Sequence, residues 1–212
     1  RYMVDGVFSF DGSSWKTYNS SNTSGFDTIS DFVSVAVDPL NPKKAYIGTW
    51  QDGVLEFTDY QLTNIYSVTN SSLRPWLADP NLVNISGLAF DSFNNLWVAN
   101  TGTTNLLSVR KTDGSWKSFY LGSEASGSDI GNMIVDKNNY KWVLRRSNGP
   151  VMVSNDNNTL DNTGDDRLKI LTTSLNTGNI PGNAVYSLAV DQDGAVWIGT
   201  DKGPAIVYNP ER

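Results

Sequence analysis

Four stretches of the chain, residues 33–38, 86–91, 131–136 and 186–191, alternate larger apolar residues with mostly small ones and then break at an aspartate. After a short polar turn each is followed by a second apolar run marked by one ring: Tyr46, Trp97, Trp142 or Trp197. A period of two is the mark of a strand with two different faces. The columns align: Val35, Leu88, Met133 and Leu188 on one face, with Val37, Phe90, Val135 and Val190 beside them, and Ala36, Ala89, Ile134 and Ala189 on the other. The large column is expected to pack on a neighbouring sheet, and the mostly small one suits a crowded face. In three copies the tryptophan lies six residues beyond the aspartate (Asp91 to Trp97, Asp136 to Trp142, Asp191 to Trp197). The first copy is two residues longer, through the turn that holds Pro39 and Pro42. The aspartate predicts a tight turn capped by its own side chain, and the ring supplies the large buried area that a thin sheet needs.

Two outer strands repeat as well. Residues 6–10, 53–57, 106–109 and 205–208 read as third strands. Asp11-Gly12 and Asp113-Gly114 are turns leading to fourth strands that begin near Trp15 and Trp116. A four-stranded antiparallel unit that recurs at roughly 45–55 residues is the signature of a propeller blade carrying loop insertions. The expected fold is all-β, a β-propeller of about four to five four-stranded antiparallel blades in this segment. The units are expected at 1–31 (partial), 32–84, 85–129, 130–184 and 185–212 (partial). No window carries a helical apolar stripe; residues 74–83 leave room for one short helical turn, and 123–129 and 155–166 read as exposed insertions. The chain opens and closes in third strands, as expected of a segment of a larger propeller.

Composition narrows the chemistry. The 212 residues contain no cysteine and no histidine. This excludes disulfides, thiolate nucleophiles, Cys/His zinc sites, Ser-His-Asp triads and imidazole acid–base catalysis. With 16 Lys and Arg against 22 Asp and Glu the net charge is −6, which argues against nucleic acid or an anionic membrane surface as an electrostatic partner. No apolar run reaches the roughly 20 residues of a membrane-spanning helix.

The fourth copy, Val185 to Gly203, resembles the two-component-regulator propeller repeat, which occurs in periplasmic sensor regions of hybrid histidine kinases of Bacteroidetes. A wider resemblance covers most of the chain. Phe32 to Asp38 with Tyr46 to Gly53, Ser86 to Asp91 with Leu96 to Asn100, and the ending Asp201 to Pro210 are similar to PorZ-like proteins of the type IX secretion system of Bacteroidetes. That resemblance implies two propeller domains and a C-terminal Ig-like domain in the whole protein. It also implies a place beside the sortase PorU and its partners PorV and PorQ, and the binding of anionic lipopolysaccharide for attachment to secreted cargo. Neither the Ig-like domain nor an export signal falls within these residues. The third copy departs from the pattern: Leu144-Arg145-Arg146 stands where the fourth has Gly199-Thr200-Asp201.

Candidate binding residues follow from blade position. Trp50, Asn100, Arg145 and Asp201 lie just past the aromatic strand in successive copies, and with Arg146 they are expected to offer one ring face a stacking plane and guanidinium donors for an anionic glycan. Adjacent strand residues point to opposite faces, so Arg145 and Arg146 do not both face the same mouth. Asp191 to Gly194 begins like a calcium loop, but Lys202 stands where an EF-hand needs glutamate, and a capped hairpin turn is the better reading. Asp161, Asp165 and Asp166 lie in an asparagine-rich loop that suits solvation better than paired-carboxylate catalysis. The Asn-x-Ser/Thr triplets at Asn19, Asn22, Asn70, Asn84 and Asn157 read as surface turns.

The expectation is therefore a non-catalytic, exported scaffold at the cell surface or in the periplasm, with no cofactor and no metal. Its partners would be an anionic lipopolysaccharide or other glycan and sortase-type secretion proteins, with no nucleic acid and no membrane-spanning segment. The alternative is the ligand-sensing propeller of a hybrid two-component system. A glycan lyase or hydrolase is disfavoured, because propeller enzymes commonly recruit histidine.

Overall fold

The structure, a computed structural model, describes residues 5–146 and 150–210. Seventeen strands form five antiparallel meanders. A two-stranded sheet, β1 (Val7–Phe10) and β2 (Trp15–Tyr18), comes first. Three four-stranded blades follow: β3 (Phe32–Asp38) to β4 (Asn41–Thr49), β5 (Val54–Thr58) and β6 (Gln61–Tyr66); β7 (Ile85–Phe90) to β8 (Leu96–Asn100), β9 (Leu107–Arg110) and β10 (Trp116–Phe119); and β11 (Ile130–Val135) to β12 (Lys141–Arg145), β13 (Val151–Asn155) and β14 (Arg167–Leu171). The last sheet has three strands, β15 (Val185–Val190), β16 (Val196–Thr200) and β17 (Gly203–Val207). Among the described residues there is no helix. The helical turn anticipated over 74–83 is instead a loop with an isolated bridge between Trp76 and Asp79. Pro75 and Pro80 account for this: each removes an amide donor and biases the residue before it away from helical dihedrals.

The aspartate ending each inner strand does more than cap its turn. Asp91 Oδ1 accepts the amides of Phe93 (3.0 Å) and Asn95 (2.8 Å), while Oδ2 accepts the indole N–H of Trp97 at 2.9 Å. Asp136 takes the amides of Asn138 and Tyr140 and the indole of Trp142 at 2.9 Å. Asp191 takes the amide of Ala195 and the indole of Trp197 at 2.8 Å. In these three sheets the turn and the core ring are thus tied to one carboxylate, and the six-residue offset is the length of that loop; Asp38 of the first full blade accepts the Leu40 amide and Asn94 Nδ2 and has no indole six residues on. The Trp197 indole, followed by backbone donors of the turn, holds Asp191 below the usual carboxylate range.

Each ring is covered by the large apolar column of the next inner strand. Leu88 packs in one cluster with Tyr46, Met133 with Trp97, and Leu188 with Trp142. The backbones also come close: a Cβ on Gly87 of β7 would stand 2.7 Å from the amide nitrogen of Met133 in β11, so only glycine fits there. Trp97 and Trp142 are 1% and 2% exposed, whereas Trp197, with no described sheet against it, is 40% exposed. At the other end of the row Val35 lacks a neighbour for the same reason and is 64% exposed. The β1–β2 sheet covers only the outer half of the first full blade, where Tyr18 meets Leu55 and Phe57.

Polar groups differentiate the seams. Tyr46 replaces tryptophan in the first full blade, and buried Glu56 lies near it, bonded by the Tyr66 hydroxyl and by Lys44 at 2.9 Å. Arg110 of the next blade lies 3.7 Å from Glu56 and over the rings of Tyr46 and Tyr66. Burial pushes the Glu56 carboxyl up, but the Tyr66 hydroxyl, Lys44 and Arg110 together outweigh it and hold the group below its ordinary value. At the second seam, fully buried Lys141 pairs with Asp156 and sets its ammonium 3.9 Å from the centre of the Trp97 ring. At the third, Lys137 Nζ donates to the Asp193 carbonyl at 2.7 Å.

The clamp generates a graded expectation. Trp97→Phe leaves a buried carboxylate oxygen short of a donor and a gap beside it, at about 2 kcal/mol or more. Trp197→Phe, at a half-open site, is expected to cost under about 1 kcal/mol. Urea unfolding of the two variants beside the wild type checks the order, and equal losses would contradict the clamp.

Candidate functional site

The two ends of the blades differ. At one end lie the short aspartate turns. At the other lie the long connections 19–31, 67–84, 120–129 and 172–184, together with the turns that leave the second strands. Binding surfaces favour such loops when a rigid scaffold holds them.

One backbone bond recurs at this loop face. The amides of Trp50, Thr101, Arg146 and Asp201 donate to the carbonyls of Asp31, Asn84, Asp129 and Ala184, at 2.9–3.0 Å. Each joins the end of a second strand to the residue preceding the inner strand of the same blade. Trp50, Arg146 and Asp201 therefore share one column with Thr101. Asn100 and Arg145 belong to the preceding column with Thr49 and Thr200, opposite the first residues of the inner strands.

The two columns have different chemistry. Asn100 is 0% exposed; its Oδ1 accepts the Arg74 amide at 2.7 Å and its Nδ2 donates to the Asn84 carbonyl at 3.0 Å. Arg145 is buried, and its Nη2 donates to the Glu124 carbonyl (2.9 Å) and Ser128 Oγ (3.0 Å). Burial lowers its pKa, with the Glu124 charge opposing. Both side chains fasten loops from behind. In the outer column Arg146 is exposed, with Nε 3.8 Å from Asp129 Oδ1, a contact that a stronger anion can displace. Asp201 is exposed and Trp50 is partly exposed.

Sequence reasoning missed three features here. Asn22 and Asn70 pin equivalent loops: each accepts a backbone amide three residues earlier (Asn19, Ser67) and donates to a carbonyl five residues earlier (Thr17, Ile65). The shared Tyr-x-x-x-Asn spacing after β2 and β6 was the available signal. Each inner strand also starts with a register shift, between Phe32 and Ser34, Ile85 and Gly87, Ile130 and Met133, and Val185 and Ser187. Such bulges re-aim side chains at the rim of a sheet, and no residue type marks them. The third feature is Asp52. It lines a cavity of about 330 Å³ with Thr28, Gln51, Ser67 and Asn81. Burial pushes its carboxyl above the ordinary 3.8, the Ser30 amide opposes, and Asp31 adds to the rise.

Two of the other candidate carboxylates have structural partners, while the third, Asp166, has a buried Oδ1 without a hydrogen-bond partner and is pushed above its ordinary value by burial and by the charges of Asp156 and Asp165. Asp161 pairs with Lys111 at 2.7 Å and Asp165 accepts the Thr159 hydroxyl at 2.9 Å, on the connection between β13 and β14 at the opposite end from the loop face. Among the described residues no three His, Cys, Asp or Glu side chains are grouped to hold a metal ion, and no helix is long and apolar enough to cross a membrane.

Fold and repeat define a row of β-propeller blades. Residues 179–202 match the family model described as "Two component regulator propeller". Over 99% of its length the chain is similar to PorZ, described as an essential bacterial surface component of the type-IX secretion system of Porphyromonas gingivalis, with a TM-score of 0.82 and 26% identity. It spans 31% of that protein. The extracellular domain of BT3049 from B. thetaiotaomicron, described as a hybrid two component system, superposes with a TM-score of 0.65 at 21% identity, over 97% of this chain and 25% of that one. Virginiamycin B lyase from Staphylococcus aureus has the same fold, with a TM-score of 0.59 and 12% identity over 94% of this chain and 61% of that one. No curated protein sequence matches. The resemblance to PorZ and to two-component-regulator repeats and the all-β propeller fold are thus borne out, and the structural relatives include surface and extracellular domains.

Asp52 gives a pH prediction. Its folded pKa lies above the unfolded value, so its ionisation opposes folding as pH rises through the folded pKa. Asp52→Asn is therefore expected to be more stable than wild type at pH 7, with the gain vanishing once pH falls below about 3.8, where both states are protonated. Thermal unfolding across that range measures the crossover.

Proposed function

We propose that the chain is a non-catalytic propeller segment of an exported, PorZ-like accessory protein of type IX secretion, whose loop face binds an anionic lipopolysaccharide or other glycan and sortase-type secretion partners. The observation that carries this reading is the match to PorZ, with a TM-score of 0.82 over 99% of the chain against 0.65 over 97% for the sensor domain. Among the candidate residues, Trp50, Arg146 and Asp201 would make the contacts, and Asn100 and Arg145 would hold their loops in place.

Physical chemistry sets the terms of such binding. A chain of net charge −6 repels an anionic glycan at long range. Affinity has to come from short-range contacts, with the Arg146 guanidinium as a bidentate donor to phosphate or carboxylate. The absence of histidine leaves no imidazole for acid–base work, which supports a scaffold over an enzyme. The family match at 179–202 supports the second reading, a ligand-sensing ectodomain of a hybrid two-component system. A parent gene encoding a transmembrane helix followed by kinase domains would select that reading, and an Ig-like sorting domain would select the first.

The direct test immobilises the parent protein and measures retention of anionic lipopolysaccharide at low and physiological salt. Retention should fall about tenfold in Arg146→Glu. If the wild type retains neither lipopolysaccharide nor a sortase-complex protein at low salt, the proposal is lost.

A further inference from the structure

The 74–82 loop exposes the wrong residues for an idle connection. Trp76 is 37% exposed and Leu77 61% exposed, side by side. A loop that merely crossed the face would let them fold inward or move. Instead the structure fixes them. The Arg74 amide is held by the buried Asn100 side chain, Trp76 N donates to the Leu82 carbonyl at 2.7 Å, and Leu77 N donates to the Gly102 carbonyl at 3.0 Å. Gly102 N in turn donates to the Ser128 carbonyl at 3.0 Å, and Gly127 N to the Thr103 carbonyl at 2.7 Å. Three loops from consecutive blades are therefore laced together beneath one indole.

Two glycines make room for it. Gly102, at φ +70°, stands where any Cβ would collide with Cδ1 and Nε1 of Trp76. Gly127, at φ +73°, faces the Leu77 side chain across a gap that a Cβ would narrow to 3.3 Å. The lacing continues to the cationic part of the face: Ser128 Oγ accepts Arg145, and the adjacent Asp129 is the partner of exposed Arg146. Aromatic ring, hydroxyls and guanidinium lie on one connected strip.

We infer that Trp76 is a sugar-stacking platform of the loop face, receiving the C–H side of a pyranose ring whose polar substituents meet the Ser126–Arg146 strip. This rests on the glycan reading of the preceding subsection and adds a second indole to the loop face besides that of Trp50 in the outer column. Pyranose rings present a patch of C–H bonds that lies well on a flat indole, while their hydroxyls take hydrogen bonds at the edge. A ring already fixed before binding loses little entropy on contact. A protein partner fits less well, because Trp76 and Leu77 are bordered by glycine, serine and charged groups instead of the apolar core of a protein interface.

The experiment uses the parent protein, anionic lipopolysaccharide as probe, and the variants Trp76→Ala and Trp76→Phe, with thermal unfolding as a folding control. Trp76→Ala should bind at least tenfold more weakly while still folded at the assay temperature, and Trp76→Phe should recover most of the loss. Saturation-transfer NMR should show sugar ring protons receiving magnetisation from the wild type and much less from the alanine variant. Wild-type binding with Trp76→Ala equal to it overturns this inference and leaves the glycan reading intact. No wild-type binding overturns both. Loss of a sortase-complex protein in Trp76→Ala with lipopolysaccharide retained overturns it in favour of protein docking.

Discussion

One hydrogen bond governs this architecture: the aspartate carboxylate that closes a turn and grips the indole six residues on. A two-stranded meander alone is marginal in water, and its core ring has no fixed height above the sheet. By holding the indole N–H, Asp91 and Asp136 set that height, so the ring meets the next inner strand at the level of Met133 or Leu188. The other oxygen of each carboxylate satisfies the turn amides, so little polar demand is left buried. Blade closure and blade stacking thus share a single group. Where tryptophan is absent, at Tyr46, the seam is rebuilt from Glu56, Tyr66, Lys44 and Arg110, a larger polar set replacing one clamp.

Much of this was legible in the sequence because it is written in periodicities. The alternation in residues 86–91 and the six-residue step from Asp91 to Trp97 follow from backbone geometry, which repeats wherever the blade repeats. What stayed hidden depends on partners distant in sequence. Asn100 and Arg145 looked like members of an exposed row with Trp50 and Asp201, since a one-residue offset in strand register separates an outward side chain from a buried one. The raised Asp52 carboxyl results from burial by connections distant in sequence, which leaves no trace in its own neighbourhood. The supposed helical turn at 74–83 failed for a local reason that was readable: two prolines in six residues oppose helix.

Function is distributed in the same way. The strands fix positions, and the loops that cross from blade to blade decide what those positions present. Buried Asn100 and Arg145 fasten the loops that carry Arg74 and Ser128. The loops of this face are hydrogen-bonded to one another from blade to blade, unlike a set of independent fingers.

The unequal seams carry a consequence of their own. Were every blade joined by identical apolar contacts, any blade could sit beside any other, and a folding chain would have several near-equivalent ways to mis-stack. Lys141 pairs its ammonium with Asp156 beside the ring of Trp97, and Arg110 sits among Glu56 and the two tyrosines. A blade placed out of order would strand an ammonium or guanidinium in a dry interface at a cost of several kcal/mol. These charges work as shibboleths: each junction admits its rightful neighbour and turns away its look-alike siblings.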